Sequence, residues 1–251
     1  MSEKIWFLKR CDLFEGLAPA ERERLEGHAL LRNFKRGEII YSPTESGQTV
    51  LVLARGRVKI KALGQDGKES ILAFIDEGEL FGELALLDSE PRNDFAEAVE
   101  ASVVVAVPCE DMLWLIGRRP DIALYVTKLI GLRRRRIENR LRNILFRSTR
   151  ERVVALLLEL LESHGQAAGP HWEIRLKLSH QELANLIGAT RETVTLTLGR
   201  LQAERFIRVR RRQIVILDRN RLAEELGTGQ ATEHTQRGGG KACDSKALGP
   251  H

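Results

Sequence analysis

The chain has 251 residues, 43% of them apolar, which is enough for two domains with cores of their own. Its net charge of +5 is unevenly spread: residues 1–117 carry 14 Lys/Arg against 21 Asp/Glu, and residues 118–219 carry 22 against 10. No apolar run is long enough to span a bilayer, and the N-terminal "MSEKIWFLKR" lacks the continuous apolar core of a signal peptide.

A cytoplasmic protein with no membrane partner is therefore expected, with a polyanion as partner for the basic back half only. The cysteines, Cys11, Cys109 and Cys243, lie far apart and form no CxxC pair or Cys/His cluster. That spacing argues against a disulfide framework or a complete metal site. Cys11 is the one thiol worth testing for redox reactivity.

In chain order, "APAERERLEGHA" reads as a helix, and from about Arg32 to Val107 short β-type segments follow one another. "GEIIY", "TVLVLARGRVKIKAL", "ESILAFI" and "ASVVVAV" are rich in β-branched residues and bounded by Gly, Pro, Asp or Ser. "GQDG" reads as a hairpin loop. Many short, closely spaced strands predict a β-barrel or sandwich-like roll. Within it, "GELFGELALLDSEPRNDF" sets a glycine-bracketed turn before an apolar run and a lone arginine, Arg92. It is either an anion site or a corner of the β domain.

A long helix follows, with Pro120 suited to its first position. Ala123, Thr127, Ile130, Arg134, Ile137, Leu141 and Ile144 alternate at spacings of four and three, a heptad seam interrupted by Arg134 within "RRRR". Glu138 lies one turn beyond Arg134 and can pair with it. A narrow apolar stripe of this kind packs either on its own domain or on its copy in a parallel homodimer, and the homodimer is expected. Ser148 and Glu151 then form a capping box that opens a new helix, making the break near Arg147 a candidate hinge. "SHGQAAGPHWE" reads as a loop.

"SHQELANLIGATRETVTLTLGRLQAERFIRVRRRQIVIL" carries the most specific pattern. A capping box at Ser179 and Glu182 opens a short helix with Leu183, Leu186 and Ile187 inward. Gly188 permits a tight turn, and Thr190 caps a second helix whose core face is Val194, Leu198 and Leu201. Helix, short turn and helix is the geometry of a DNA-binding helix-turn-helix. Helical spacing then places Arg191, Glu192, Thr195 and Leu196 outward at the end that enters the major groove, with Thr193 between them. Arginine can contact guanine in bidentate fashion, glutamate can accept from cytosine, and Thr195 and Leu196 can touch thymine methyls. Ser179, His180 and Arg200 are placed for phosphate contacts. "FIRVRRRQIVIL" reads as a two-stranded wing with Arg210, Arg211 and Arg212 at its tip.

These passages together resemble the cyclic-AMP receptor protein/FNR (CRP/FNR) family of bacterial transcription regulators over roughly residues 10–219. The resemblance rests on "FKRGEIIY" at Phe34–Tyr41, "GRVK" at Gly56–Lys59, "FGELALL" with "PR", and "QELANLIGATRETV". It implies an α+β chain in four parts. Residues 1–117 would form a cyclic-nucleotide-binding-type β-roll (jelly-roll), 118–147 a dimerisation helix and hinge, 148–219 a winged helix-turn-helix, and 227–251 a disordered tail. It also implies a homodimer on a near-palindromic operator in double-stranded DNA, RNA polymerase as a further partner, and an effector that reorients the DNA-binding domains.

In the family's nucleotide-binding members, the Glu of "FGEL" holds the ribose and the Arg after "Pro" pairs with the cyclic phosphate. Those positions are Glu83 and Arg92 here. Gly82 lets the backbone approach, "ELALL" from Glu83 and Leu84 can start a helix whose free N–H groups face a phosphate, and Asn93 can donate to it. Arg134 and Glu138 complete the implied ligand set, with Glu138 placed to accept from an adenine amino group. Departures from the family pattern are Asn93 and Asp94 where Ser or Ala and then Ala are usual, and Ile137 and Glu138 where the cAMP-responsive members carry Thr-Ser. Leu196 stands where many members have Arg, and Arg205 replaces a glycine before the wing.

The expected function is a regulator with no catalytic activity and no required cofactor, controlled by cAMP or another cyclic nucleotide. Two alternatives remain open at this level. One is a cyclic-nucleotide-binding regulatory subunit acting on a protein partner. The other is a constitutive DNA-binding regulator with a vestigial pocket. Haem sensing is disfavoured because His28 is the only histidine of the front half and reads as a surface helix residue. Iron–sulfur sensing would need more cysteines than Cys11.

Overall fold

The structure, a computed structural model, describes residues 12–14, 16–45, 47–87, 90–210 and 213–227. Cys11, Cys243, Arg211, Arg212 and the tail expected to be disordered lie outside the described residues, apart from Gly227. The chain divides into two compact units. One takes the residues up to Arg147 together with His180–Arg191, and the other takes the rest from Ser148 onward.

In the first unit, helix α1 (Pro19–His28) leads into eight strands. They are β1 (Leu30–Phe34), β2 (Ile39–Tyr41), β3 (Thr49–Arg55), β4 (Val58–Leu63), β5 (Glu69–Ile75), β6 (Leu80–Phe81), β7 (Phe95–Ala98) and β8 (Ser102–Pro108). All pairings are antiparallel and form two four-stranded sheets, ordered β1-β8-β3-β6 and β2-β7-β4-β5. This is the expected roll. "GQDG" is the β4–β5 connection, closed by the Gly64 N–H on the Lys68 carbonyl at 2.8 Å.

The unbroken apolar run of β3 follows from burial on both faces. Leu51 and Leu53 point into the roll with Ile60, Ile75, Phe81 and Val104. Val50, Val52 and Ala54 point the other way, onto Leu25 of α1 and onto Met112 and Leu115 of α2 (Cys109–Ile116).

Helix α3 (Pro120–Phe146) closes this unit with 27 residues. Only Ile122 and Val126 are fully buried along it. Of the predicted seam, Ile137, Leu141 and Ile144 stand 51, 55 and 46% exposed, so the seam is not spent on the helix's own domain. The C-terminal half is held by arginines instead. Arg140 Nη1 donates to the Ile71 and Leu72 carbonyls of β5 at 3.2 and 2.7 Å.

The second unit opens with α4 (Thr149–His164), started by the Ser148/Glu151 capping box read from the sequence. Its buried face is Val153, Val154, Leu156, Leu157, Leu160 and Leu161. The passage read as a loop instead forms the hairpin β9 (Gly165–Ala168) and β10 (His171–Ile174). β10 pairs with β12 (Gln213–Ile216), and β12 with β11 (Ile207–Arg210), so the wing is part of a four-stranded sheet. The sequence hid this because glycine and alanine give β9 no apolar alternation, and all four of its residues are exposed. A short helix α7 (Arg219–Glu224), capped by the Asp218 side chain, follows the wing.

Candidate effector cavity and nucleic-acid interface

The helix-turn-helix is built from α5 (His180–Ile187) and α6 (Arg191–Ala203), joined by a three-residue turn. Gly188 adopts φ +64°, a left-handed conformation that costs glycine nothing, and the Ala189 N–H caps the Ala184 carbonyl at 3.1 Å. Leu183, Ala184, Leu186 and Ile187 are buried on α5, and Val194, Leu198 and Leu201 on α6. Arg191, Glu192, Thr195, Leu196 and Arg200 are exposed, while Ser179, His180 and Thr193 are half-buried. Leu196, at 65% exposure, is a large apolar side chain offered to solvent between polar neighbours. Thr197 is buried and donates its hydroxyl to the Thr193 carbonyl, so it belongs to the helix and not to its reading face.

Helix α6 ends in a Schellman motif, with Phe206 N–H on the Leu201 carbonyl at 3.0 Å and Arg205 N–H on the Gln202 carbonyl at 3.1 Å. The left-handed residue of this cap is Arg205, at φ +62°, the one non-glycine residue with positive φ among those described.

The other feature lies wholly in the first unit. A cavity of about 740 Å³ opens between the β-roll and α3. Gly82, Glu83, Leu84, Arg92, Asn93 and Arg134 all line it; Glu138 does not. Glu138 is instead held by Arg134 at 2.7 Å, one turn along the exposed side of α3.

Gly82 sits at φ +69° before a 3₁₀ turn, Glu83–Leu86. A Cβ at Gly82 would lie 2.5 Å from Arg92 Nη1, so only glycine lets that guanidinium lie across the backbone. Arg92 is fixed further by Nη2 donating to the Thr49 carbonyl at 2.6 Å and by the Tyr41 ring 4.1 Å beneath it. "ELALL" makes a four-residue turn and not a helix with a usable dipole, so the anion-binding capacity of this corner rests on arginine.

Glu83 is buried at 7% exposure, and its carboxylate accepts a hydrogen bond from Arg133, whose Nη2 also donates to the Leu80 carbonyl at 2.7 Å. Nothing in the sequence singles out Arg133, because four consecutive arginines look alike until the helix phase is known. Tyr41 is equally inconspicuous: "IIY" reads as ordinary strand core, yet its hydroxyl donates to the Asp94 carboxylate. Burial, and then the Asp94 charge, push the Tyr41 phenol well above its usual range. Burial likewise raises Asp94, against the opposing pull of the Tyr41 bond and Arg92. Cys109, half-buried behind this corner, is raised by burial as well.

His28 ends α1 with Nδ1 2.9 Å from the buried Asp111 carboxylate, a structural contact in which neither residue lines the cavity.

A cyclic nucleotide-binding domain model matches residues 31–119, and a Crp-like helix-turn-helix domain model matches residues 151–225. The cyclic AMP receptor protein of Thermus thermophilus is 37% identical over 202 residues, covering 80% of this chain and 90% of that one. The chain belongs to the CRP/FNR family of transcription regulators. A CRP-like cAMP-activated global transcriptional regulator of Mycobacterium tuberculosis is 29% identical over 216 residues, 86% of this chain and 96% of that one. A CooA mutant from Carboxydothermus hydrogenoformans shares the fold, with a TM-score of 0.73 at 21% identity over 84% of this chain and 92% of that one.

As a CRP/FNR protein, this chain is a DNA-binding transcription regulator. Among the described residues, no helix is long and apolar enough to cross a membrane.

Proposed function

We propose that this CRP/FNR protein acts as a cytoplasmic homodimer, without catalytic activity, and binds a near-palindromic operator under the control of a cyclic nucleotide, cAMP being the first candidate. The observation that carries the effector reading is the pinned Arg92. A guanidinium held across Gly82, on the Tyr41 ring and on the Thr49 carbonyl, is already oriented for charge-assisted hydrogen bonds to a phosphate.

Glu83, buried and held by Arg133, offers a carboxylate to a ribose hydroxyl, and Leu84, Asn93 and Arg134 complete the wall. Relatives named for cAMP support the choice of candidate. The exposed Ile137, Leu141 and Ile144 of α3 support pairing with a second copy, which buries a stripe otherwise left to water. Arg191, Glu192, Thr195 and Leu196 then read bases, while Ser179, His180, Thr193 and Arg200 position the helix on phosphates. RNA polymerase is the expected further partner at a promoter.

The test is DNA selection from a random pool with and without cAMP, followed by sequencing of the bound fraction, alongside calorimetry with cAMP, cGMP and cyclic dinucleotides. A cAMP-dependent, two-fold-symmetric site, with nucleotide binding lost in Arg92→Ala, is the expected result. Identical selection with and without every nucleotide, together with no heat of binding, would reject effector control.

A further inference from the structure

Asp94 follows Arg92 by two residues and lines the same wall of the cavity. Its carboxylate is held by the Tyr41 hydroxyl, and the Tyr41 ring in turn carries Arg92. The carboxylate therefore stands beside the guanidinium that is free to meet an anion. Its other charged neighbours are Glu83, from the turn after β6, and Arg133, from α3. Glu90, Arg134 and Arg136 also line the cavity, and no histidine does.

An anion docking on Arg92 takes over as that arginine's counter-ion, which leaves the Asp94 charge next to a like charge in a half-buried place. Two like charges held side by side out of bulk water repel strongly if both persist, and the usual relief is protonation of one of them. A protonated Asp94 gains an O–H donor, which turns repulsion into a hydrogen bond to the ligand's oxygen.

We propose that Asp94 is the selectivity switch of the effector cavity: it takes up one proton from solvent as an anionic group docks on Arg92, so the site favours singly charged phosphodiesters over doubly charged phosphomonoesters and binds them more tightly as pH falls. This rests on the effector reading above. Burial already lifts Asp94 above the usual carboxylate range in the free protein, and a bound anion lifts it further. Between those two positions affinity weakens as pH rises, by up to about tenfold per pH unit for one coupled proton. A cyclic phosphodiester keeps its single charge across this range, whereas a monoester gains its second near pH 6. Its repulsion by an ionised Asp94 is correspondingly doubled.

The experiment is isothermal titration of the full-length protein with cAMP and with 5′-AMP from pH 5.5 to 8.5, in paired buffers of different ionisation enthalpy, for wild type and Asp94→Asn. The amide keeps the shape and accepts from Tyr41 but carries no charge. Wild type is expected to take up a fraction of a proton per site on binding cAMP and to lose affinity as pH rises. Asp94→Asn is expected to show no uptake, a flat pH profile, tighter cAMP binding above pH 7 and weaker discrimination against 5′-AMP. Proton uptake unchanged in Asp94→Asn, or cAMP binding weakened at every pH, overturns the switch while leaving the effector reading intact. If neither protein binds either nucleotide at any pH, cAMP is not the effector and the switch as stated fails, while the wider effector reading stands or falls on the other cyclic nucleotides. Asp94→Ala, with folding checked by circular dichroism, serves the same comparison should the amide disturb the fold.

Discussion

Replacing Arg205 with glycine should stabilise the DNA-binding unit. An L-residue in the left-handed region costs about 1–2 kcal/mol because its Cβ crowds the backbone, and Arg205 sits there at φ +62°. Glycine removes that cost but gives back about 0.4–1 kcal/mol through the greater freedom of the unfolded chain. The exposed Arg205 side chain makes no hydrogen bond or ion pair to a described residue, so little else is lost. The Schellman bonds from Arg205 and Phe206 are backbone bonds and survive the change. The net gain is about 0.5–1 kcal/mol, or roughly 2–8 °C in the melting of a unit of this size. Differential scanning calorimetry of the full-length chain would read it. Arg205→Ala is the control, since it removes the guanidinium but keeps the Cβ and hence the strain. A lower melting temperature for Arg205→Gly, or an equal rise for Arg205→Ala, would refute the reasoning.

Other perturbations probe the remaining parts. Arg191→Ala should cost about 1–3 kcal/mol in operator binding and relax selection at one guanine; a uniform loss on all sequences in a binding titration would reduce it to a phosphate contact. Leu141→Glu should separate a homodimer by sedimentation. Two buried leucines at about 1.5–3 kcal/mol each predict at least a hundredfold weaker association, and an unchanged mass would move the interface elsewhere. On β4, Lys59 Nζ lies 3.1 Å from Glu69 and 3.1 Å from Glu97, and Lys61 is bonded to the same two carboxylates. Burial opposes the Glu97 charge, but the bonds from Lys61 and Lys59 outweigh it and hold this carboxyl below its usual range. A depressed carboxylate contributes stability above its unfolded pKa of about 4.3 and loses it as pH falls further. Glu97→Gln should therefore cost about 1–3 kcal/mol in urea unfolding at pH 7, the difference shrinking as pH falls through the depressed folded-state pKa of this carboxyl. A pH-independent difference would assign the loss to packing instead.

The elements most legible in the sequence were those where local chemistry and tertiary packing agree. The recognition helix announces itself through Gly188, a capping pattern and the spacing of Val194, Leu198 and Leu201, all of which are local. The Glu83–Arg92 segment was legible for the same reason. What escaped notice depends on partners distant in sequence. Arg133 reaches Glu83 across 50 residues, and nothing in "RRRR" distinguishes it from Arg134, which also lines the cavity but is paired with Glu138 on its own helix. Tyr41 and Asp94 lie 53 positions apart and are each unremarkable alone. The β9–β10 hairpin was missed because its pairing with β12 supplies the order that its own composition does not.

Arg133 and Arg134 also have a consequence for genetics. Consecutive residues on a helix point about 100° apart, so one arginine anchors the cavity floor while the next stands on the seam side of the same turn. Substitutions here should be pleiotropic: a change that retunes the cavity also shifts the exposed seam proposed to pair with a second copy, and the reverse should hold too. Mutants selected for regulation without effector should therefore gather in this one turn, and few of them should leave oligomerisation untouched.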